Sequence, residues 1–378
     1  MNAYEVEEAR SAYGAKIKVI GVGGGGGNML NHMIAEYAPT NIDLIVANTD
    51  LQALDRSLAH TKIQIGEKKT KGLGAGMKPE TGREAAQESY EELKSVLEDS
   101  DIVFIATGLG GGTGTGASPV VAQAAKEMGA ITVAVVTMPF NFEGNKRRKL
   151  ADLGLSELRK ESDSIVVIPN EKLLDIIDRK AGIKESFKMV DNVLSRAVNG
   201  MCTVILDSGK SDINIDFADV KTVMEHRGMA LMGMGVATGD ESAQEATKNA
   251  IQSPLLNNIS IDGALGIIIH FKMHPDCPLS DIDEALTMVR TAADEDADII
   301  FGTTTDENMT DNKVEVTIIA TGFKTPDDAK EPAPAPINNA KTNDPLGDWM
   351  NNIKQLKVSG LDDYADPDKH PYEKMRLD

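Results

Sequence analysis

Lys16-Ile-Lys-Val-Ile-Gly-Val-Gly-Gly-Gly-Gly-Gly-Asn28 is the stretch whose reading decides the fold. The apolar run Lys16–Ile20 has the composition of a short buried strand. It leads through Gly21–Gly27 into a helical pattern from Met29 to about Tyr37. Strand, glycine loop and helix in that order build an anion site. Glycine lets main-chain N–H groups come close to an anion. The helix N-terminus adds unpaired donors and a favourable dipole. The loop is therefore a phosphate cradle, though alone it does not say whose phosphate.

The same alternation continues downstream. Ile42–Ala47, Lys62–Ile65, Asp101–Ala106, Ile131–Val136 and Ser164–Ile168 read as strands. Helical patterns fall between them, at about Pro79–Leu97 and from Gly116 through Met128. Apolar strands alternating with helices predict an α/β fold, a Rossmann-like parallel sheet covered on both faces. In such sheets ligands sit at the carboxyl ends of strands, and every glycine-rich loop here falls at such an end. From about Lys184 to Asp207, Phe187, Val190, Leu194, Ala197, Val198, Met201 and Ile205 recur at helical spacing. That predicts one long central helix. Beyond it, helices near Ala218–Met224, Ser242–Gln252 and Leu279–Ala293 accompany strands at Gly266–His270, Asp298–Phe301 and Lys313–Ala320. They form a smaller α/β C-terminal domain.

The ends differ. Residues 1–15 are acidic and lack an apolar core, so they read as a flexible arm and not a signal peptide. After Phe323 the chain is rich in Pro, Ala, Asp and Asn. Residues 324–378 are expected to be a disordered linker and tail. Trp349, with Leu346, Met350 and Ile353, is either a chance apolar cluster or a segment that folds on a partner. The expected organisation is arm 1–15, nucleotide domain 16–183, central helix 184–208, C-terminal domain 209–323 and tail 324–378.

A formal charge of -20 disfavours nucleic acid, whose phosphates repel such a surface. No apolar run is long enough to span a bilayer, so a cytoplasmic protein without membrane insertion is expected. The two cysteines, Cys202 and Cys277, have no disulfide or metal spacing. His226, His270 and His274 likewise read as packing or surface groups.

The first loop also fits Gly21-x-Gly23-x-x-Gly26, the dinucleotide fingerprint, with Asp43 or Asp50 near the place of its ribose acid. A nicotinamide-dependent oxidoreductase is thus the alternative. A second loop speaks against it. Gly110-Gly-Gly-Thr-Gly-Thr-Gly116 follows another strand and offers two hydroxyls, Thr113 and Thr115, as further phosphate ligands. Gly72-Leu-Gly-Ala-Gly76 adds a third loop at the same edge. Several loops around one polyphosphate suit a triphosphate, and no Gly-x-x-x-x-Gly-Lys-[Ser/Thr] cradle is present.

Gly110–Gly116 resembles the signature of the tubulin and FtsZ superfamily. IGVGGGGGN at 20–28, NTD at 48–50, GLGAGMKPETGR at 72–83 and PFNFEG at 139–144 are similar to its FtsZ branch. So are IPNEKLL at 168–174, DINIDFADVKTVM at 212–224 and IIATGF at 318–323. The resemblance covers 16–323. It implies a GTPase that binds GTP and GDP and polymerises head-to-tail into the division ring, at mid-cell on the inner face of the membrane. It implies that Gly24, Gly25, Gly26, Gly27 and Asn28, with Gly111, Gly112, Thr113, Gly114 and Thr115, hold the phosphates. Glu143 and Arg147 would contact ribose and phosphate, and Asn170 and Asp191 would read guanine under a stacked Phe187. Read from residues alone, Asp191 also suits a solvated helix face. Mg²⁺ would be held mainly by phosphates and water, with no protein ligand set.

No group that orients water stands in these loops. The nearest candidates are Asn214, Asp216 and Asp219, in Asp212-Ile-Asn-Ile-Asp-Phe-Ala-Asp219. Helix capping also suits Asp216 and Asp219. The resemblance implies that this segment enters the next subunit and completes its site there. The chain ends in LDDYADPDKHPYEKMRLD, unlike the apolar-basic peptide that closes FtsZ chains. The expected tail partners, tethers and regulators of the division ring, therefore rest on family membership alone.

Overall fold

The computed structural model describes residues 15–37, 41–174, 182–206, 211–213, 215, 217–226, 228–253, 261, 263–310 and 312–323. The expected arm and tail, with Trp349, lie outside them. So do Asn214 and Asp216.

The N-terminal half opens with β1 (Ile17–Val22), α1 (Gly23–Tyr37), β2 (Ile42–Asn48), α2 (Leu51–Asp55), β3 (Thr61–Gln64) and α3 (Glu67–Thr70). It continues through α4 (Pro79–Glu88), α5 (Tyr90–Leu97), β4 (Ile102–Gly108), α6 (Thr113–Glu127), β5 (Ile131–Met138) and a 3-10 turn at Asn141–Glu143. It closes with α7 (Asn145–Glu161), β6 (Ser164–Pro169) and α8 (Asn170–Leu173). The six strands lie in the order β3-β2-β1-β4-β5-β6 and all pair in parallel. Order reverses between β1 and β4, and a doubly wound sheet opens its ligand crevice at such a point.

Strand residues alternate between two cores. Ile17, Val19, Ile102, Phe104 and Ala106 face one side, and Ile20, Val22, Val103 and Ile105 face the other. Both faces are covered, so β-branched residues fill these strands nearly end to end.

Helix α9 (Ile183–Leu206) crosses into the second half. Its 24 residues make it roughly 36 Å long at 1.5 Å each. Val190, Leu194, Ala197, Val198, Met201, Cys202 and Ile205 are buried along one side, the stripe expected from their spacing. Then come β7 (Ser211–Ile213), α10 (Phe217–Glu225), β8 (Gly228–Thr238), α11 (Ser242–Ile251), β9 (Gly266–Met273), α12 (Leu279–Ala292), β10 (Asp298–Thr305) and β11 (Lys313–Phe323). Strand β8 pairs with β6, so one sheet of eleven strands continues as β6-β8-β11-β9-β10-β7.

The structure departs from the sequence reading in three places. Helix α1 begins at Gly23, not Met29, so most of the glycine run is itself the first turns of the helix. The expected helix 79–97 is two helices broken at Ser89, whose hydroxyl accepts from the Gly66 N–H at 3.2 Å. The glycine- and methionine-rich segment from Gly228, which the sequence reading did not mark as a strand, is the 11-residue strand β8 that joins the two halves. Its β-branched content is low, so propensity did not mark it. The packing requirement is nonetheless present. A Cβ on Gly235 would lie 1.9 Å from the Ala246 carbonyl oxygen of α11.

Candidate nucleotide site

The loops after β1 and β4 meet backbone to backbone. A Cβ on Gly23 would lie 2.8 Å from the Gly114 nitrogen, one on Gly25 3.1 Å from the Gly108 nitrogen, and one on Gly26 2.3 Å from the Ala106 carbonyl oxygen. On Gly114 it would lie 2.4 Å from Thr107 Oγ1. Side chains are excluded because two main chains occupy the space. Gly24 and Gly111 differ: no heavy atom lies within 4 Å of where their Cβ would be. The first turn of α1 and the loop that leads into α6 thus each present a glycine toward open space. That is a cradle for a polyanion.

The third loop braces the second. Lys71, Gly72, Gly74, Gly76 and Met77 all have positive φ, a left-handed path that brings Ala75 against Gly112. Leu73 at its tip is 86 % exposed. Thr113 opens α6, and its hydroxyl lies 2.6 Å from that of Thr49. Thr115 is placed differently. It is buried, and its hydroxyl accepts from the Gly110 N–H at 2.9 Å, so it shapes the loop from within.

The remaining residues gather where β5 and β6 end. Glu143 accepts from the Phe140 N–H at 2.9 Å and pairs with Arg147. The Asn141 N–H donates to Glu171 at 2.9 Å, which ties this turn to α8. Asn170 opens α8 and is 6 % exposed. Its Oδ1 is buried without a hydrogen-bond partner among the described residues. A buried acceptor left unpaired is costly, and a ligand N–H would satisfy it. Phe187 projects from α9 and meets Phe140 edge-on at 5.7 Å, and Phe142 stacks on Phe140 at 5.0 Å. Asn28 is exposed in the second turn of α1. Asp191, one turn after Phe187, is partly buried.

Residues 16–178 match the Tubulin/FtsZ family, GTPase domain, and residues 228–324 match the FtsZ family, C-terminal domain. The cell division protein FtsZ of Helicobacter pylori is 50% identical over 309 residues, 82% of this chain and 80% of that protein. The chain belongs to the FtsZ family. It is therefore a GTPase, which binds a guanine nucleotide. An FtsZ dimer from M. jannaschii superposes with a TM-score of 0.76 at 46% identity, covering 82% of this chain and 88% of that one. CetZ2 from Haloferax volcanii superposes at 0.70 with 19% identity over 82% of this chain and 93% of that one, and shares the fold.

In this FtsZ-family chain neither acid of the dinucleotide alternative reaches the cradle. Asp50 is the N-cap of α2, and its carboxylate accepts from the N–H groups of Gln52 at 2.9 Å and Ala53 at 3.2 Å. Asp43 lies beside Lys18 near the start of β2, at the opposite end of the strands. Burial raises the Asp191 carboxyl from 3.8 to about 6. The folded chain thus holds this proton more tightly than the unfolded chain. Its burial costs stability above pH 6, and that cost is relieved as the pH falls from 6 toward 3.8. A role for Asp191 in reading guanine, as the family resemblance implies, would run the other way, because only the carboxylate accepts from two N–H groups of a base. Affinity for GTP, measured by calorimetry, should fall as the pH drops through about 6. In Asp191→Asn it should be weak and flat across that range.

Asp219 stands apart from all of these. It is exposed in the first turn of α10, after Ile215, which packs on Gly302 of β10. Among the described residues no cluster of three or more His, Cys, Asp or Glu could hold a metal, and no helix is long and apolar enough to cross a membrane. The residue that sequence reasoning overlooked is Thr49. It lies inside the quoted NTD block, but only the fold brings it against the second loop.

Proposed function

We propose that this chain hydrolyses GTP at a site shared by two copies of itself, stacked head to tail in a filament of the division ring. The observation that carries this is a separation. From β4, which ends in the second phosphate loop, to β7, which leads into residues 214–219, the sheet passes β5, β6, β8, β11, β9 and β10. Seven inter-strand steps of about 4.8 Å are roughly 34 Å. Helix α10, which carries Asp219, folds back over the sheet, and its Val223 meets Gly266 at the start of β9, the end of the sheet opposite the glycine loops. In this reading Asp219 therefore serves the cradle of the next copy. Such a contact is heterologous and repeats into an open filament. The names and states of the relatives agree: one is a cell division protein and another is an FtsZ dimer.

In this reading, residues 16–183, with Phe187 and Asp191 of the central helix, bind the nucleotide. Gly24–Asn28 and Gly111–Gly114 donate main-chain N–H groups to the phosphates. Glu143 and Arg147 face ribose and phosphate, and Asn170, Phe187 and Asp191 take the guanine. Residues 209–323 present Asn214, Asp216 and Asp219 to the neighbour, where they orient the attacking water. Mg²⁺, if bound together with the nucleotide, would neutralise phosphate charge. The α1 and α6 N-termini suit the phosphate anions and offer the cation no ligand. The filament would lie at the division site on the cytoplasmic face of the membrane, with tethers and regulators engaging the tail 324–378.

Phosphate release per subunit, measured against protein concentration with light scattering in parallel, tests the shared site. The rate should stay near zero and rise at the concentration where scattering begins. A rate per subunit that does not change with concentration overturns the reading, since each chain would then own a complete site.

A further inference from the structure

Thr49 follows β2 and is fully buried, yet its hydroxyl lies 2.6 Å from that of Thr113, at the mouth of the phosphate cradle. Its carbonyl accepts from the Gly74 N–H at 3.1 Å and the Thr70 hydroxyl at 3.2 Å. One residue therefore touches both the second loop and the third. Thr113 itself sits where the loops converge, its Cβ 3.4 Å from the place a Gly23 Cβ would take.

We propose that Thr49 is a positioning residue that sets the direction of the Thr113 hydroxyl toward phosphate. This rests on the reading of Thr113 as a phosphate ligand. A hydroxyl has a single proton and two acceptor lone pairs. Facing an anionic phosphate oxygen, Thr113 has to donate that proton. The hydroxyl pair then has one possible polarity: Thr49 donates to Thr113, and Thr113 donates to phosphate. Because Thr49 is fully buried, water does not compete for its hydroxyl. A chain of hydroxyls with fixed polarity strengthens its last bond, since each donor polarises the next. The third loop is held by the Thr49 carbonyl and not by its side chain, so a side-chain substitution leaves that anchoring intact.

The test is GTP affinity of the full chain by calorimetry, below the concentration at which scattering appears. Thr49→Val keeps the shape and removes the donor, and should weaken binding about 5- to 10-fold. Thr49→Ser restores the donor and should bind within about twofold of wild type. In the Thr113→Val background, adding Thr49→Val should cost nothing further, because the relay has no end. Unliganded melting of Thr49→Val should match wild type; should it not, Thr49→Ala supplies the same comparison. If Thr113→Val weakens binding while the Thr49 variants do not, or if the two losses multiply, the relay is wrong and the cradle stands. If Thr113→Val itself binds GTP normally, the reading of Thr113 as a phosphate ligand falls, and the relay with it.

Discussion

Asp216→Ala and Asp219→Ala each abolish sustained GTP turnover, by about 100-fold or more, while GTP still binds with wild-type affinity. The separation of functions follows from where the parts lie. The cradle is built from the ends of β1, β4, β5 and β6, whereas Asp219 stands on α10, which packs through Val223 on Gly266 at the start of β9, the opposite end of the sheet. A change at α10 leaves every nucleotide contact in place. If the proposed water-orienting group is lost, the proposed filaments should form with GTP and persist because GDP does not accumulate. Asp219 also lies in the first turn of α10, where a carboxylate favours the helix by about 0.3–1 kcal/mol. A small drop in melting temperature is thus expected for Asp219→Ala. Assembly followed by scattering and turnover followed by phosphate release separate the two effects. Loss of GTP affinity in either variant would show that the acids serve their own chain's site.

Two glycines two residues apart, Gly24 and Gly26, should fail in opposite ways when changed to Ala. Gly26 has the Ala106 carbonyl oxygen 2.3 Å from its would-be Cβ, with Gly21 main chain 2.8 Å away. Neither neighbour is a flexible side chain, so α1 has to shift off the sheet. Overpacking of this kind costs about 1–3 kcal/mol, and Gly26→Ala should melt several degrees lower even without nucleotide. Gly24 meets nothing within 4 Å. Its backbone is helical, so Gly24→Ala restricts the unfolded chain and should leave the unliganded protein as stable or slightly more so, by up to about 0.5 kcal/mol. The added methyl instead stands where phosphate approaches the main chain. Losing one charge-assisted hydrogen bond there weakens GTP binding about 10- to 100-fold. Thermal melting of both variants with and without GTP checks the pair. The cradle assignment fails if Gly24→Ala melts low in the absence of nucleotide, or keeps its full GTP-induced stabilisation.

Local sequence determined much of this protein. Val and Ile runs between glycine loops specify a parallel sheet buried on both faces, because few other structures bury such strands. The glycine loops at 21–27 and 110–116 announce phosphate, since main-chain donors at a helix N-terminus require residues without side chains. The stripe on α9 is legible at helical spacing from Val190 to Ile205. These are short-range patterns, in which period and residue type carry the information directly. Contacts between distant segments are of another kind. That β8 joins two halves through Met and Gly residues follows from its partners β6 and β11, not from propensity. That Thr115 shapes its loop, that Thr49 meets Thr113 across 64 residues, and that the Asn170 Oδ1 lies unpaired follow from tertiary placement. So does the roughly 34 Å between cradle and β7. Residue types name the chemistry a segment can perform. Only the folded sheet, by fixing which segments become neighbours and which are held apart, decides with which partner they perform it.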